Sequence, residues 1–494
     1  MIRQLIWSLT LASASVACGG GAASGDAGTT TNPEDASSPV IEAGSAIDAS
    51  TRDDALEAST PRIDVPAITC SDSISDVYVT PSNLPTMTNS TRGDIVRCAF
   101  DYALALSDVQ SEVASKGITT TMTSAVNVYR IAFRTYRGNG SAGVSTARVY
   151  LPQLPGALPR PVLVAAHPTD GIADSTAPSM DPTSNEDLAL PFAGLGDAII
   201  VPDYAGLGNE GVQGYLDNHD QAHSVLDGAR ALRNFVSQGA LSSQFGVIGY
   251  SQGGGAALSA QALDKTYGDG NMTFVVAYAP EWPTRPNSFA FVDMLENPTT
   301  LTIETGISYC AVEVMRSYAY FANYVGMNDA DDGFPSASRS GFDNAINTMN
   351  EVVLGGYIQG VAPTIQGFID PTFRTTTLAC IQNGPNDPGC VDPGKSFYTF
   401  MENDFVTNDP NGAKILFVQG LADYVMPAPS EGACNVDKLV ADGVTPQVCV
   451  DAAAQHTTVV GRNQDFVITW VNAALAGQAA PACTTDGVMP PCVP

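Results

Sequence analysis

The feature that most constrains the fold is a series of short apolar runs, each bounded by Gly, Pro or polar residues. These runs cover 162–166, 198–201, 246–248, 274–278 and 415–418. Continuous apolar runs of this length are typical of strands that are buried on both faces of a sheet. They alternate with helix-compatible segments such as 224–236, so we expect an α/β fold with a mostly parallel sheet and helices on both faces.

Two further regions refine this expectation. Residues 126–137 and 145–151 flank Gly138-Asn139-Gly140 and predict an antiparallel hairpin leading into the sheet. About 130 residues separate the last two apolar runs, too many for a loop in a compact domain, so we expect an inserted helical cap or lid. Its segments 318–324 and 352–358 are rich in apolar and aromatic residues, which would either line an acyl pocket or pack inside the cap.

One apolar run ends in a G-x-S-x-G motif, Gly249-Tyr250-Ser251-Gln252-Gly253, and a helix-compatible segment follows it. In a sharp strand-to-helix turn the two glycines allow close packing, and the serine hydroxyl is held up into a cleft. Ser251 is therefore the candidate nucleophile. The backbone N–H of Gln252 is a candidate oxyanion donor, because it belongs to the residue after the serine.

A serine nucleophile needs a base and an orienting acid. The chain has four histidines, and only His456 follows Ser251 in the order serine, acid, histidine. Asp423 comes just after the run 413–418 and is the candidate acid. The alternatives are that Asp423 caps a turn and that His456 satisfies backbone groups at a helix start.

Several segments carry a family resemblance. A-H-P-T-D-G-I-A-D-S-T-A-P-S at 166–179, V-P-D-Y-A-G-L-G at 201–208, V-L-D-G-A-R-A at 225–231 and D-V-Y-V-T-P at 76–81 are each similar to a motif of one family. That family is the secretory lipase-like branch of the α/β-hydrolases, exported bacterial and fungal lipases and esterases with a large lid. The resemblance spans most of 74–475 and is weakest between about 285 and 410. It implies an α/β-hydrolase fold and a serine carboxylic ester hydrolase.

The sequence departs from the family motif at two positions. Pro168 replaces a glycine, and proline has no N–H to donate to an oxyanion. The second donor would then come from Thr169 or Asp170, through backbone or side chain. Ser175 replaces a frequent cysteine, so a disulfide of some relatives would be missing.

Charge and motif spacing restrict the partners. The chain of 494 residues has 22 Lys and Arg against 51 Asp and Glu, and its formal charge of −29 argues against nucleic acid. His219 and His223 are spaced as in an H-E-x-x-H zinc site, but no third ligand is apparent, so a solvated helix start is the better interpretation. The expected partner is a small-molecule or lipid ester, and the chemistry needs no cofactor.

The N-terminus resembles a targeting segment. Residues 1–17 have the basic start, apolar core and small-residue cleavage site of a signal peptide. Cys18 follows, as in a bacterial lipoprotein whose cysteine is acylated, and residues 18–65 have the composition of a disordered tether. We expect export, with anchoring through Cys18 at the outer membrane or cell surface, or otherwise secretion.

The remaining boundaries follow from these elements. We expect a hydrolase core at 66–280 and 412–480, a cap at 281–411 and a C-terminal tail at 481–494. The ten cysteines suit an oxidising compartment. Sequential pairs would be Cys70–Cys98, Cys380–Cys390, Cys434–Cys449 and Cys483–Cys492, leaving Cys18 and Cys310.

These features together favour an exported serine esterase or lipase with Ser251, His456 and Asp423 as its triad. Two alternatives remain. The same scaffold supports peptidases and acyltransferases, because a triad defines the acyl-enzyme and not the acceptor. A surface-anchored binding protein that has lost its chemistry is the third hypothesis.

Overall fold

The computed structural model describes residues 61–154, 157–181, 186–284, 295–296, 307–362, 364 and 367–493. The expected signal peptide and Cys18 lie outside these ranges. Near the expected end of the tether at residue 65, Ile63 is fully buried in the core and Ser237 hydrogen-bonds to the backbone of Arg62. Although this segment is rich in small and polar residues, the side chain of Ile63 packs in the core.

A single nine-stranded sheet organises the described residues. Its strands are β1 (Ile95–Leu104), β2 (Val126–Tyr136), β3 (Ala142–Pro152), β4 (Arg160–Ala166), β5 (Ile199–Pro202), β6 (Leu241–Tyr250), β7 (Met272–Tyr278), β8 (Lys414–Gly420) and β9 (Gln447–Asp451). They lie in the order β1-β2-β3-β5-β4-β6-β7-β8-β9. Pairing is antiparallel from β1 to β5 and parallel from β5 to β9, which confirms the mostly parallel sheet.

Helices surround this sheet. They are α1 (Ile74–Val77), α2 (Leu106–Ser115), α3 (Glu186–Gly194), α4 (Asn218–Phe235), α5 (Gln252–Leu263), α6 (Ile307–Tyr320), α7 (Arg339–Ile346), α8 (Glu351–Val361), α9 (Pro371–Asn383), α10 (Gly394–Asp404), α11 (Ala433–Ala441) and α12 (Val459–Leu475). None of the described helices combines the length and the apolar character needed to cross a membrane.

The parallel strands are apolar throughout because both of their faces are covered. On β4, Val162 and Val164 pack in the core that includes residues of α4 and α5, whereas Leu163 packs in the core that includes residues of α2, α3 and α12. Side chains alternate between the faces of a strand, so two layers of helices require an uninterrupted apolar run. The expected hairpin is also present as β2 and β3, with Val126 opposite Pro152 and Tyr136 opposite Ala142.

The chain between β7 and β8 contributes α6 to α10, which share one apolar cluster with Ile172, Val212, Tyr215 and Leu216 from the chain before β6. Met315, Phe342 and Phe397 are buried in this cluster. Tyr318 also belongs to it and stacks on Phe334, so this part of the segment 318–324 packs internally.

Four disulfides occur among the described residues. Cys70–Cys98 and Cys380–Cys390 are as expected. The expected pairs Cys434–Cys449 and Cys483–Cys492 are wrong, since Cys434 bonds Cys492 and Cys449 bonds Cys483.

The tail explains this exchange of partners. It returns across the core, where the N–H of Gly487 donates to the carbonyl of Val450 in β9 and that of Val493 donates to Pro429. Both tail cysteines therefore bond cysteines of the core rather than each other. Within the described part of the chain, Cys434 and Cys449, which both lie between Asp423 and His456, are therefore bonded to the tail and not to each other.

Candidate active site

The G-x-S-x-G motif forms a sharp turn from β6 into α5. Ser251 has φ 55° and ψ −120°, a strained conformation for a residue with a side chain. Hydrogen bonds hold it there: its N–H donates to the carbonyl of Tyr278 at 2.9 Å, and its carbonyl accepts from Gly255 at 3.1 Å. The turn thus fixes the serine at the carboxyl edge of the parallel strands.

Both glycines of the motif are required by close approach. A Cβ on Gly249 would lie 2.0 Å from the carbonyl oxygen of Gly253. A Cβ on Gly253 would lie 1.9 Å from the carbonyl oxygen of Ala166 at the end of β4. Strand β6, helix α5 and strand β4 therefore pack closer than any side chain allows.

Three side chains from distant parts of the chain meet at this turn. The Oγ of Ser251 lies 3.0 Å from Nε2 of His456. The Nδ1 of His456 lies 2.8 Å from Oδ2 of Asp423. All three residues are buried, so the imidazole is within hydrogen-bond distance of a hydroxyl on one side and a carboxylate on the other.

Local contacts fix the orientation of the acid and the imidazole. Oδ1 of Asp423 accepts from the backbone N–H groups of Val425 at 2.9 Å and Met426 at 2.8 Å, which leaves Oδ2 for the imidazole. Asp423 therefore does both: one carboxylate oxygen caps a turn, and the other contacts His456. His456 opens a 3₁₀ turn that leads into α12, and its carbonyl accepts from the Tyr250 hydroxyl at 2.9 Å.

The candidate oxyanion residues differ in their positions. Gln252 is the first residue of α5, where backbone N–H groups have no partner within the helix. Thr169 lines the cavity at Ser251, and its hydroxyl lies 2.9 Å from that of Tyr215. Asp170 is not among the described residues lining that cavity, and its carbonyl accepts from the N–H of Glu351 at 3.1 Å.

His167 comes just before the loop of Thr169 and Asp170 and is hydrogen-bonded to the motif at 201–208. His167 is fully buried, its Nε2 lies 3.2 Å from the carbonyl oxygen of Asp203, and its own carbonyl accepts from Tyr204 at 3.0 Å. The Asp203 carboxylate accepts from the N–H of Ser179 at 2.8 Å and the hydroxyl of Thr146 at 2.6 Å. The motifs at 166–179 and 201–208 are thereby joined next to the nucleophile turn.

A cavity of about 320 Å³ opens over Ser251 and His456. Two carboxyl side chains, Glu281 and Glu351, line it, and neither was singled out from the sequence. Burial, followed by the negative charge of Glu351, raises the pKa of Glu281 to about 8. Burial, followed by the charge of Asp170, raises the pKa of Glu351 to about 7.

Only one of these glutamates had a detectable signal. Glu281 comes three residues after β7, at the edge where ligands bind in parallel sheets. Glu351 is in the insertion, where no motif marks it.

The two spaced histidines do not face one another across a shared ligand position. His219 Nδ1 contacts Asp404 at 2.9 Å, whereas His223 stacks on Tyr267 with ring centroids 3.6 Å apart. Burial lowers the pKa of His223 to about 4. Asp217, His219 and Asp404 bring ligand atoms within 4.8 Å of one another, but both carboxylates accept hydrogen bonds from the first turn of α4.

Comparison with known proteins agrees with the fold and the motifs. The model of the secretory lipase family matches residues 187–279, which include the nucleophile turn. A sequence search of curated proteins found no match.

Solved structures with the same fold include esterases and lipases. The rice cell wall degrading esterase LipA from Xanthomonas oryzae is 16% identical with a TM-score of 0.57, covering 78% of this chain and 100% of that one. Lipase A from Candida antarctica is 15% identical with a TM-score of 0.58, covering 84% and 90%. A putative hydrolase from Legionella pneumophila is 16% identical with a TM-score of 0.59, covering 76% and 97%.

The fold, the family match and the motifs define an α/β-hydrolase similar to the secretory lipases. The match to the secretory lipase model confirms the family resemblance predicted from the sequence motifs, and the solved structures confirm the fold.

Proposed function

We propose that this chain is an exported serine ester hydrolase that works through an acyl-enzyme. The observation that carries the proposal is the continuous contact from Ser251 Oγ to His456 Nε2 at 3.0 Å and from His456 Nδ1 to Asp423 Oδ2 at 2.8 Å. A hydroxyl is a poor nucleophile at neutral pH until a neighbouring base removes its proton, and this arrangement supplies that base.

In the first half of the reaction, Ser251 Oγ forms a bond to the ester carbonyl carbon while its proton passes to His456 Nε2. Asp423 holds the imidazole with its proton on Nδ1 and stabilises the imidazolium that forms. The carbon–oxygen bond to the alcohol then breaks. The alcohol leaves with the proton from Nε2, and the acyl group stays on Ser251.

In the second half, water attacks the acyl carbon and gives a proton to His456 Nε2. That proton returns to Ser251 Oγ as the acyl bond breaks, which releases the carboxylic acid. In both halves negative charge develops on the carbonyl oxygen. The N–H of Gln252 is the first proposed donor to it, and the loop at Thr169 and Asp170 provides the second.

The proposal also covers the export of the chain and the role of its cap. Residues 1–17 act as a signal peptide, and an acylated Cys18 would tether the enzyme to a membrane through the segment that follows. The helices α6 to α10 form the cap, and its residues Val312, Glu351 and Val352 line the cavity. Their presence there supports a role for the cap in binding the substrate.

Replacement of the nucleophile tests the proposal. Ser251→Ala should abolish nearly all hydrolysis of p-nitrophenyl esters and all labelling by a fluorophosphonate, while Ser107→Ala, at an exposed serine of α2, should retain both. The expected loss exceeds the roughly 10²–10⁴-fold contribution of acid–base catalysis alone. Wild-type turnover by purified Ser251→Ala would refute the assignment.

Panels of acceptors separate the alternatives. Cleavage of amide substrates, or acyl transfer to an added alcohol in preference to water, would favour a peptidase or an acyltransferase. A folded chain in which Ser251 is not labelled would favour the non-catalytic binding protein.

A further inference from the structure

Two carboxyl groups share the cavity with the candidate nucleophile. Glu281 and Glu351 line it, and no Lys or Arg is among the described lining residues. An alkyl chain does not compensate carboxylates that are taken out of water. The cavity therefore contains more negative charge than an apolar acyl group requires.

Glu281 is fixed close to the reacting atoms. The backbone N–H of Glu281 donates to the carbonyl of Ser251 at 2.9 Å. Gly255 of α5 packs so close to Glu281 that a Cβ on Gly255 would lie 2.0 Å from the carbonyl oxygen of Glu281. The Tyr215 hydroxyl donates to its Oε2 at a long 3.5 Å. The backbone of Glu281 therefore packs against the same turn as the nucleophile, and its carboxyl lines the cavity beside it.

The surroundings of Glu281 disfavour its charged form. The carboxylates of Glu351, Glu313 and Glu431 repel it, whereas the guanidinium of Arg316 attracts it. Arg316 also lies 3.8 Å from Glu313, with which it shares α6. The attraction is thus outweighed, and burial together with repulsion raises the pKa of Glu281.

Glu351 approaches from the cap. It is the first residue of α8, and its N–H donates to the carbonyl of Asp170 at 3.1 Å. Burial and the charge of Asp170 raise its pKa to about 7. Both carboxyls therefore ionise close to neutral pH, and a cation in the cavity would lower both pKa values.

Two aromatic side chains complete the lining. Tyr250 and Tyr424 both border the cavity, and Tyr424 is largely exposed at 69%. Aromatic faces bind cations, quaternary ammonium groups in particular, through the ring quadrupole. Carboxylates and aromatic rings side by side are the surroundings that suit a positively charged group.

We propose that Glu281 and Glu351 bind the positively charged part of a cationic ester while Ser251 attacks its carbonyl carbon. This inference rests on the proposed function and specifies its substrate class: esters in which an ammonium group lies a few bonds from the ester.

An isosteric pair of esters tests the inference. Acetylcholine and 3,3-dimethylbutyl acetate have nearly the same shape and differ in the charge of one central atom. With the full chain at pH 8.5, kcat/KM should be about tenfold or more higher for the cationic ester, as one ion contact in a partly desolvated site provides. Equal values for the two esters in the wild type would overturn the inference.

Variants locate the source of the preference. Glu281→Gln with Glu351→Gln should bring the ratio of the two kcat/KM values to within about twofold of unity. The control Glu210→Gln with Glu402→Gln removes the same charge from exposed positions and should retain the wild-type ratio. Glu351→Gln alone, at the start of a cap helix, should lower the ratio and remains informative if the double variant does not fold.

The pH dependence gives an independent readout. Carboxylates are charged above their pKa, so the ratio should rise between about pH 6 and 9. Any effect of pH on catalysis that is common to the two esters cancels in the ratio. A ratio that does not change with pH, or a preference for glycerol esters without one for the cation, would contradict charge recognition.

Failure of the inference and failure of the proposed function can be distinguished. Hydrolysis of both esters at equal rates, with Ser251 labelled by a fluorophosphonate, overturns the inference and leaves the function standing. Absence of hydrolysis and of labelling overturns both.

Discussion

Replacement of Asp423 by asparagine should trap the imidazole of His456 in the wrong tautomer. The amide oxygen of the new side chain has one favourable position, that of Oδ1, because two backbone N–H groups donate to it at 2.9 and 2.8 Å. The amide NH₂ then occupies the position of Oδ2, 2.8 Å from Nδ1. Since an NH₂ group only donates, Nδ1 must accept, and the ring proton must move to Nε2.

This tautomer cannot accept the proton of Ser251. Nε2 would present an N–H to a hydroxyl 3.0 Å away, so base catalysis is lost although no heavy atom has moved. The expected fall in kcat is on the order of 10⁴, which is about 5.5 kcal/mol of transition-state stabilisation. KM should change little, because Asp423 is not among the described residues that contact the cavity.

The assay is steady-state hydrolysis of p-nitrophenyl esters, with the rate of fluorophosphonate labelling as a second readout. Asp437→Asn, at an exposed position of α11, is the matched control and should retain wild-type kinetics. Asp423→Asn with kcat within about tenfold of wild type, in a chain whose thermal unfolding is unchanged, would refute the tautomer argument.

Three further outcomes are expected. Tyr215→Phe removes the hydroxyl that supports the loop opposite Ser251, so kcat should fall up to about tenfold with a small change in KM, and an unchanged kcat would contradict that role. Cys449→Ser with Cys483→Ser should lower the free energy of unfolding by about 2–4 kcal/mol in denaturant titrations under non-reducing conditions, and an unchanged midpoint would contradict the pairing. Because the pKa values of Glu281 and Glu351 are raised to about 8 and about 7, these two groups bind more protons in the folded chain than in the unfolded chain between about pH 4.5 and about pH 8. The melting temperature should therefore fall as pH rises through 8, with a smaller fall in Glu281→Gln, and equal slopes for the two proteins would contradict the burial of this charge.

The predictable parts of the fold are those that a short stretch of sequence determines by itself. A strand buried on both faces must be apolar at successive positions, as 162–166 is, and a turn with no space for Cβ atoms must have glycines, as Gly249 and Gly253 show. The order of serine, acid and histidine along the sheet then restricts the candidate triad to few residues.

Features that depend on distant chain segments were not predictable. Helix α4 begins at Asn218, where Asp404, 186 residues away along the chain, accepts from the N–H of Asn218. This helix start was expected to be solvated, but His223 is buried. The disulfide partners of Cys434 and Cys449 depend in the same way on a tail that packs over the core. No local sequence pattern marks these contacts, because their partners lie far apart along the chain.

The approach of Glu351 to Glu281 also depends on distant segments of the chain. The position of a bound cation relative to the reacting carbonyl decides which kinetic constant this pair should affect. The backbone of Glu281 is held by its N–H bond to the carbonyl of Ser251, and the backbone of Glu351 by its N–H bond to the carbonyl of Asp170. A cation several bonds from the carbonyl carbon keeps its charge and its position from the bound ester to the transition state. The attraction is then equal in both, and interactions of this kind change KM and leave kcat alone. A preference for cationic esters that is expressed in kcat instead would mean that the contact between the carboxylates and the cation becomes stronger between the bound ester and the transition state.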